Sequence, residues 1–479
     1  MKERFKSILL FFLVVMSLFF TQKLWIRIPE TVAKRFETAP ETNANSYALS
    51  DMIAPYKYII NFGNKNHTLF YGDSKYHIWD DSRQILSQVL GSSNITTEEI
   101  TREQYLNLKE ERSLVIYFPE EISTYILAKT WGVNDPNNIT DAIPNINEMY
   151  IYLGTKDPFF VFTLNENYLA VYDNEIDAIA LKGKLTDIDT SNNYDRYYTM
   201  REAYQIDNDI YIPNRMENNL LTAYVSNEIS TLTDEEKRKL ATRFFDQEID
   251  YLREIVESNG STIYLYNNKS LKLNINGTLE YFHSIEDRVP ERNLYISLTT
   301  AADFIKDKSS SQEGMYLSSI EDIEQAGNFG YRFKFKYRVR NIPVILGNRE
   351  FGDYIQIDVY NYHVRSYKLL ARREMDLSLD MVIDSRSVLS SFDILDKNYE
   401  FLVNEYLSYT GKTKESYTNY LGNETLRDEV LSVVDDISLS YYDPNLKDKN
   451  ERLIGVWVIS VGDKSYGFNV YTGRLVFER

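Results

Sequence analysis

Histidine is the scarcest chemical group in this chain: His67, His77, His283 and His363 are the only four. None lies in a His-Glu-x-x-His arrangement, and no two share the helical spacing that would hold a metal ion. His67 and His77 are near enough in sequence to converge in a fold, although an incidental pair is the plainer expectation. There are no cysteines, which excludes thiol catalysis, thiolate metal sites and disulfides. The sequence has no phosphate-binding Walker loop, no nucleophile elbow and no dinucleotide glycine pattern. Acidic pairs such as Asp80-Asp81 and Asp435-Asp436 occur, as they do in any acidic chain. A glycosidase built on two carboxylates needs no sequence proximity, so that reaction class stays open. Nothing positive points to an enzyme, and no cofactor or metal is expected.

One spacing does carry a physical argument, and it concerns recognition. Leu10, Val14, Ser17 and Thr21 recur at i, i+4, i+7 and i+11, so they share one face of a helix. Ser17 and Thr21 form a small-xxx-small pair, which lets two helix backbones approach and offers hydroxyls to a neighbour. The competing reading is that both hydroxyls bond back to their own i−4 carbonyls while lipid covers the face.

That face needs a membrane span to present it. Lys2, Arg4 and Lys6 precede an apolar run from Ile8 to Phe20, which continues through Leu24 and Trp25 to Ile28. No other stretch approaches the ~20 mostly apolar residues of a spanning helix. The basic flank favours a cytoplasmic N-terminus, although Lys23, Arg27, Lys34 and Arg35 lie on the other side. A cleaved signal peptide is the alternative, since an apolar core of about 7–15 residues suits one. Bulky residues from Leu18 to Lys23 occupy the place of an Ala-x-Ala site, so an uncleaved single-pass anchor is favoured. Either way, the bulk of the chain is expected outside the cytoplasm, and the uncleaved anchor holds it at the cell membrane.

Composition adds limits. A length of 479 residues calls for several domains, and 43% hydrophobic with 14% aromatic content is ample for packing. A net charge of −18 opposes nucleic-acid binding and adhesion to an anionic membrane surface. Many of the 39 tyrosines sit in strand-like runs such as Ile263–Tyr266, where a half-buried pleated surface suits them.

The expected organisation is α+β throughout. Residues 1–6 are cytoplasmic, 7–28 the transmembrane helix and 29–50 a Pro-punctuated linker. An N-terminal extracytoplasmic α+β domain occupies 51–226, with strands at Tyr56–Ile60, Leu114–Pro119, Met149–Leu153, Phe159–Leu164 and Tyr168–Tyr172. Helices are expected at Ile85–Leu90 and Glu121–Lys129. A middle domain, 227–384, opens with a capping box at Thr233 and Glu236. Its helical stripe runs through Leu240, Phe244, Ile249, Leu252 and Val256 until Asn259-Gly260. A hairpin turns at Asn276-Gly277 between strands Ser270–Ile275 and Thr278–His283, and a helix lies near Thr300–Lys306. Tyr331–Arg338 alternates aromatic and basic side chains, predicting a strand with one aromatic and one charged face. The C-terminal domain, 385–479, places helices at Leu402–Leu407 and Leu426–Val434 before a closing meander from Leu453 to Phe477. Element order in the last two domains is similar (helix, long strand, further strands), with Tyr331–Ile345 and Tyr354–Leu370 in the matching places of the middle one. Two similar helix-plus-antiparallel-sheet modules in tandem are therefore expected.

Several of these segments are similar to the YycH family. The opening Phe5-Lys6-Ser7-Ile8-Leu9-Leu10 through Leu24-Trp25 resembles its lysine-rich start and Trp-terminated span. Leu114–Pro119 followed by Glu120-Glu121-Ile122 resembles its strand-then-proline segment. The fullest match runs from Arg243-Phe244-Phe245-Asp246 to Arg253-Glu254-Ile255, then Thr262-Ile263-Tyr264, Leu271–Asn274 and Leu279-Glu280-Tyr281. Asp435–Tyr441 and Val456-Trp457-Val458 resemble the family's last domain. The chain departs from the pattern at Tyr266-Asn267-Asn268, where the family often has Asp-Gly, and at Gly455, where a proline is common.

The resemblance implies a non-catalytic, single-span regulator of an essential two-component membrane histidine kinase (YycG, also called WalK) of low-GC Gram-positive bacteria, which govern cell-wall homeostasis through it. It also implies a YycI-like sister protein as a partner, with contacts that include the transmembrane helices. An anchored extracytoplasmic module binding a peptide or cell-wall fragment is the alternative, and an exported hydrolase is a third reading.

Overall fold

The computed structural model describes residues 49–72, 76–206, 208, 210–213, 220, 222–247, 249–308, 314–347, 352–375, 386–417, 422–444 and 450–479. The expected span 7–28, with Leu10, Val14, Ser17 and Thr21, lies outside them. Among the described residues no helix is long and apolar enough to cross a membrane. Residues 49 and 50, assigned to the linker, already belong to a short helix, Leu49–Met52.

Three sheets follow one another along the chain, and a small fourth joins them. The first has nine antiparallel strands in the order 96–100, 167–172, 159–164, 145–152, 113–123, 57–63, 66–70, 197–199 and 211–213. Strict alternation puts Ile59, Val115, Tyr150 and Val161 on one side, where Tyr105 of the Arg102–Leu108 helix closes a tyrosine-rich core. The helices Ile78–Gly91, Thr124–Thr130 and Ile179–Ser191 pack near the central strands. The meander 145–172 falls where the aromatic runs predict it.

Two local expectations in this sheet are corrected. Pro119 does not end its strand, which runs from Ser113 to Ser123 before the helix Thr124–Thr130 begins. The pairing with 145–152 is interrupted between Tyr117 and Ile122, so the proline sits where no ladder donor is required. The helix expected at 85–90 starts earlier, at Ile78. Asp80 and Asp81 then fall in its first turn, where negative charge is favourable against the helix dipole.

The middle sheet has eight antiparallel strands in the order 253–256, 262–266, 269–273, 278–283, 363–370, 355–360, 328–336 and 316–325. Its core is aromatic: Phe244 from the Asp234–Phe245 helix and Phe304 from Leu294–Lys308 both meet Tyr281 and Tyr367. The capping box forms as read, with Thr233 accepting from the Glu236 N–H and Glu236 from the Thr233 N–H. The helix stops at Phe245, however, because Asp246 turns left-handed (φ 54°). Residues 253–256 are instead an edge strand paired with 262–266. Phe333 and Phe335 are buried while Arg332, Lys334 and Lys336 lie opposite them, as alternation requires.

The run Tyr331–Ile345 is not one strand. It breaks first at Tyr337 and again at Arg340 and Asn341, whose positive φ (52° and 64°) makes a primed turn, leaving 328–336, 338–339 and 342–346. The last two pieces leave the middle sheet, and 342–346 pairs in parallel with Val434–Asp443. It thereby joins a sheet ordered 338–339, 342–346, 434–443, 454–461, 464–469 and 475–478. The small fourth sheet places 224–227 between 372–374 and 450–452.

Candidate functional site

The four histidines are placed by these sheets in three separate settings. His67 is buried on strand 66–70, its Nδ1 at 2.7 Å from Asn61 Oδ1. Asn61 donates to Ser113 Oγ at 2.9 Å, and that hydroxyl donates onward to the Glu111 carbonyl. Glu202 stands 3.8 Å from Nε2, but its carboxylate is held by the capping box with Thr199. Burial lowers the His67 pKa, against the pull of Glu202 and Glu110. Asn61, rather than a nucleophile, lies between Ser113 and the imidazole, so this is a polar core chain beside a cavity of about 110 Å³. His77 is exposed ahead of the Ile78–Gly91 helix and 3.7 Å from Asp80. No described contact joins it to His67.

Three of the four carboxylates in the acidic pairs form ion pairs. Asp80 meets Arg83 at 2.9 Å and Asp81 meets Lys184 at 2.7 Å. Asp436 reaches Lys57 at 3.4 Å, tying the C-terminal sheet to the first, while Asp435 accepts from the Gly462 N–H. The basic face of 331–338 is likewise occupied: Arg332 holds Asp358 with two bonds of 2.7 and 2.9 Å, and Lys334 pairs with Glu321.

His283 and His363 make the most distinctive constellation. They sit at adjacent ends of paired strands, with ring centroids 4.3 Å apart. His363 Nε2 lies 3.3 Å from the His283 carbonyl and, facing an acceptor, is the protonated nitrogen. The pair lines a cleft of about 480 Å³ together with the segment 284–291, Tyr360 and Tyr362. Burial, then His363 and Lys269, lower the His283 pKa to about 4. His363 is lowered as well, chiefly by burial. Sequence spacing could not reveal this pair, because 80 residues separate its members.

A second cleft, of about 660 Å³, opens among the C-terminal helices between Tyr204, Tyr399, Glu400, Lys414, Glu424 and Arg427. Arg427 donates to the Tyr204 carbonyl at 3.3 Å, and Lys414 pairs with Glu400 at 2.5 Å. Burial, with Asp396 nearby, pushes the Tyr204 hydroxyl up to about 12. Among the described residues no group of three His, Asp or Glu side chains is arranged to hold a metal ion.

The architecture defines a class: mixed helices and antiparallel sheets, three sheets in series stitched by a small fourth. It is similar to the crystal structure of YycH from Bacillus subtilis, with a TM-score of 0.52 and 12% sequence identity over 88% of this chain and 97% of that one. The chain therefore has a YycH-like fold. An uncharacterised protein from Eubacterium rectale (TM-score 0.35, 14% identity, 57% of this chain and 92% of that one) superposes too loosely to bear on the fold. The same is true of the C-terminal domain of Bacillus megaterium YpeB (TM-score 0.25, 11% identity, 52% and 97%). No family model matches the sequence, and no curated protein does.

Proposed function

We propose that this chain is a non-catalytic, membrane-anchored regulator of a two-component sensor histidine kinase of the YycG/WalK kind. The observation that carries the reading is the YycH-like fold extending over 88% of the chain. The residues 7–28 anchor it, and the domains 51–226, 227–384 and 385–479 lie outside the cytoplasm, the last two as related modules. Leu10, Val14, Ser17 and Thr21 form the face that meets the transmembrane helices of the kinase and of a YycI-like sister protein. Such a regulator acts only if it binds the kinase's two signalling states with unequal affinity. A coupling of about 1–3 kcal/mol is enough for a clear change in output.

A second reading, an anchored module that binds a peptide or cell-wall fragment, is favoured by the clefts of about 480 and 660 Å³. A bacterial two-hybrid assay separates the two. The full-length chain is paired with its host's membrane histidine kinases, using its own span, Ser17→Leu/Thr21→Leu, or a foreign span. Signal lost with the double substitution supports recognition within the membrane. Signal retained with a foreign span moves the contact to the soluble part, and no signal with any kinase favours the binding module.

A further inference from the structure

We propose that His283 and His363 form an acid-operated latch that releases the strap 284–291. This inference goes beyond the regulatory reading and does not depend on it.

The geometry makes the latch. His283 ends strand Thr278–His283, the strap follows it, and helix Leu294–Lys308 follows the strap. His363 begins the neighbouring strand, so the two rings stack at the strap's root, 4.3 Å apart. The strap is otherwise tied by a few polar contacts, the firmest at Val289, whose carbonyl accepts from the Phe329 N–H at 2.9 Å. Ser284 N–H donates to the Asn268 carbonyl at 3.1 Å, and Asn268 Nδ2 to Glu286 at 2.7 Å. Val289 N–H donates to Asn328 Oδ1 at 2.7 Å, and Asn361 Nδ2 to the Glu291 carbonyl at 2.9 Å. Its apolar residues Ile285 and Val289 are only half-buried. Segments held in this way belong to the low-stability end of a fold.

The charges around the pair work against protonation. Lys269 stands opposite His283 in register and faces both rings, and Arg365 approaches His363 along its own strand. Glu286, on the strap, is the carboxylate that faces His363. Asp287, Arg288 and Glu291 complete the charged lining of the cleft. Two imidazolium rings in contact, beside Lys269 and Arg365, exceed what Glu286 offsets. Lifting the strap opens the half-buried pair further to water, which relieves that repulsion.

The direction follows from proton binding. The closed form holds its histidines below the ordinary value of about 6.5, so the open form binds protons more tightly and acid favours opening. For His283 alone, the open-to-closed ratio should rise about tenfold or more between pH 7.5 and 5.

Hydrogen–deuterium exchange of the full-length chain tests this, with rates corrected for the intrinsic effect of pH. Protection of 284–291 should fall about tenfold or more from pH 7.5 to 5.0, while strands 355–360 and 363–370 keep theirs. In His283→Gln/His363→Gln the protection should no longer depend on pH. Unchanged wild-type protection, or equal opening in the double variant, overturns the latch. Should that variant misfold, NMR titration decides, with the two signals assigned from the single variants His283→Gln and His363→Gln: both must titrate below the ordinary range. An ordinary titration of both would also overturn it.

Discussion

Arg372 and Glu451 lie on strands that do not touch, on either side of Tyr224–Asn227, yet the guanidinium Nη2 donates to Glu451 Oε2 at 3.1 Å across the middle strand. The same guanidinium donates from Nε to Asp443 at 3.1 Å, and all three side chains are essentially excluded from water. Asp443 ends the strand that pairs with 342–346, so one cation ties the small sheet to the C-terminal one. Removing it takes the cation away from two buried carboxylates. Arg372→Met should lower stability by about 3–5 kcal/mol, and Arg372→Met/Asp443→Asn/Glu451→Gln should recover part of that loss. Urea unfolding midpoints measure both; a loss below about 1 kcal/mol for the single variant would show that the junction is held elsewhere.

Trp457 is buried in strand Ile454–Val461, and its indole N–H donates to the Leu389 carbonyl at 2.9 Å. It therefore fills the C-terminal core and pins the segment ahead of helix Ser391–Lys397. Trp457→Ala should cost about 3–5 kcal/mol. Trp457→Phe should keep most of the packing but expose 386–390 to protease. Equal cleavage in wild type and Trp457→Phe would assign no role to the hydrogen bond.

Glu429 gathers three donors, Lys412 at 2.8 Å, Tyr406 at 2.6 Å and Tyr417, and so joins helices Tyr399–Thr410 and Asn423–Ser432. Lys412 first, then the two hydroxyls, hold its pKa down at about 2. A depressed carboxylate contributes stability above its unfolded value of 4.5, and that contribution is lost as pH falls toward 2. Glu429→Gln should thus be less stable than wild type at pH 7, with the gap closing between pH 4.5 and 2. Thermal melts across that range check it, and a constant gap would exclude an ionic cause.

Gly330 allows two strands to approach. A Cβ there would meet the Val359 carbonyl oxygen at 2.4 Å and the Tyr360 ring at 2.8 Å, so the backbone itself would have to move. Gly330→Ala should cost about 1–3 kcal/mol through this overpacking. A control, Gly183→Ala, meets nothing within 4 Å and lies inside a helix, so it should be neutral or slightly stabilising. Melting temperatures of the two variants, compared side by side, decide the matter.

Local features were legible in the sequence because their causes are local. The Thr233 capping box, the 159–172 meander and the two faces of 331–337 each follow from residues within a turn or a period of one another. Where the pattern misled, a nearby backbone event intervened: the pairing break at Pro119, the left-handed Asp246, and the break at Tyr337 that sends 338–346 to another sheet. Helix-forming spacing on one side of Asp246 could not foresee that a sheet edge would claim the other. The contacts that define the candidate sites are of another kind. Arg372 with Asp443 and Glu451 spans 71 and 79 residues, and His283 with His363 spans 80. Period and propensity decide which face a side chain occupies, but only the register of strands distant in sequence decides what it meets there.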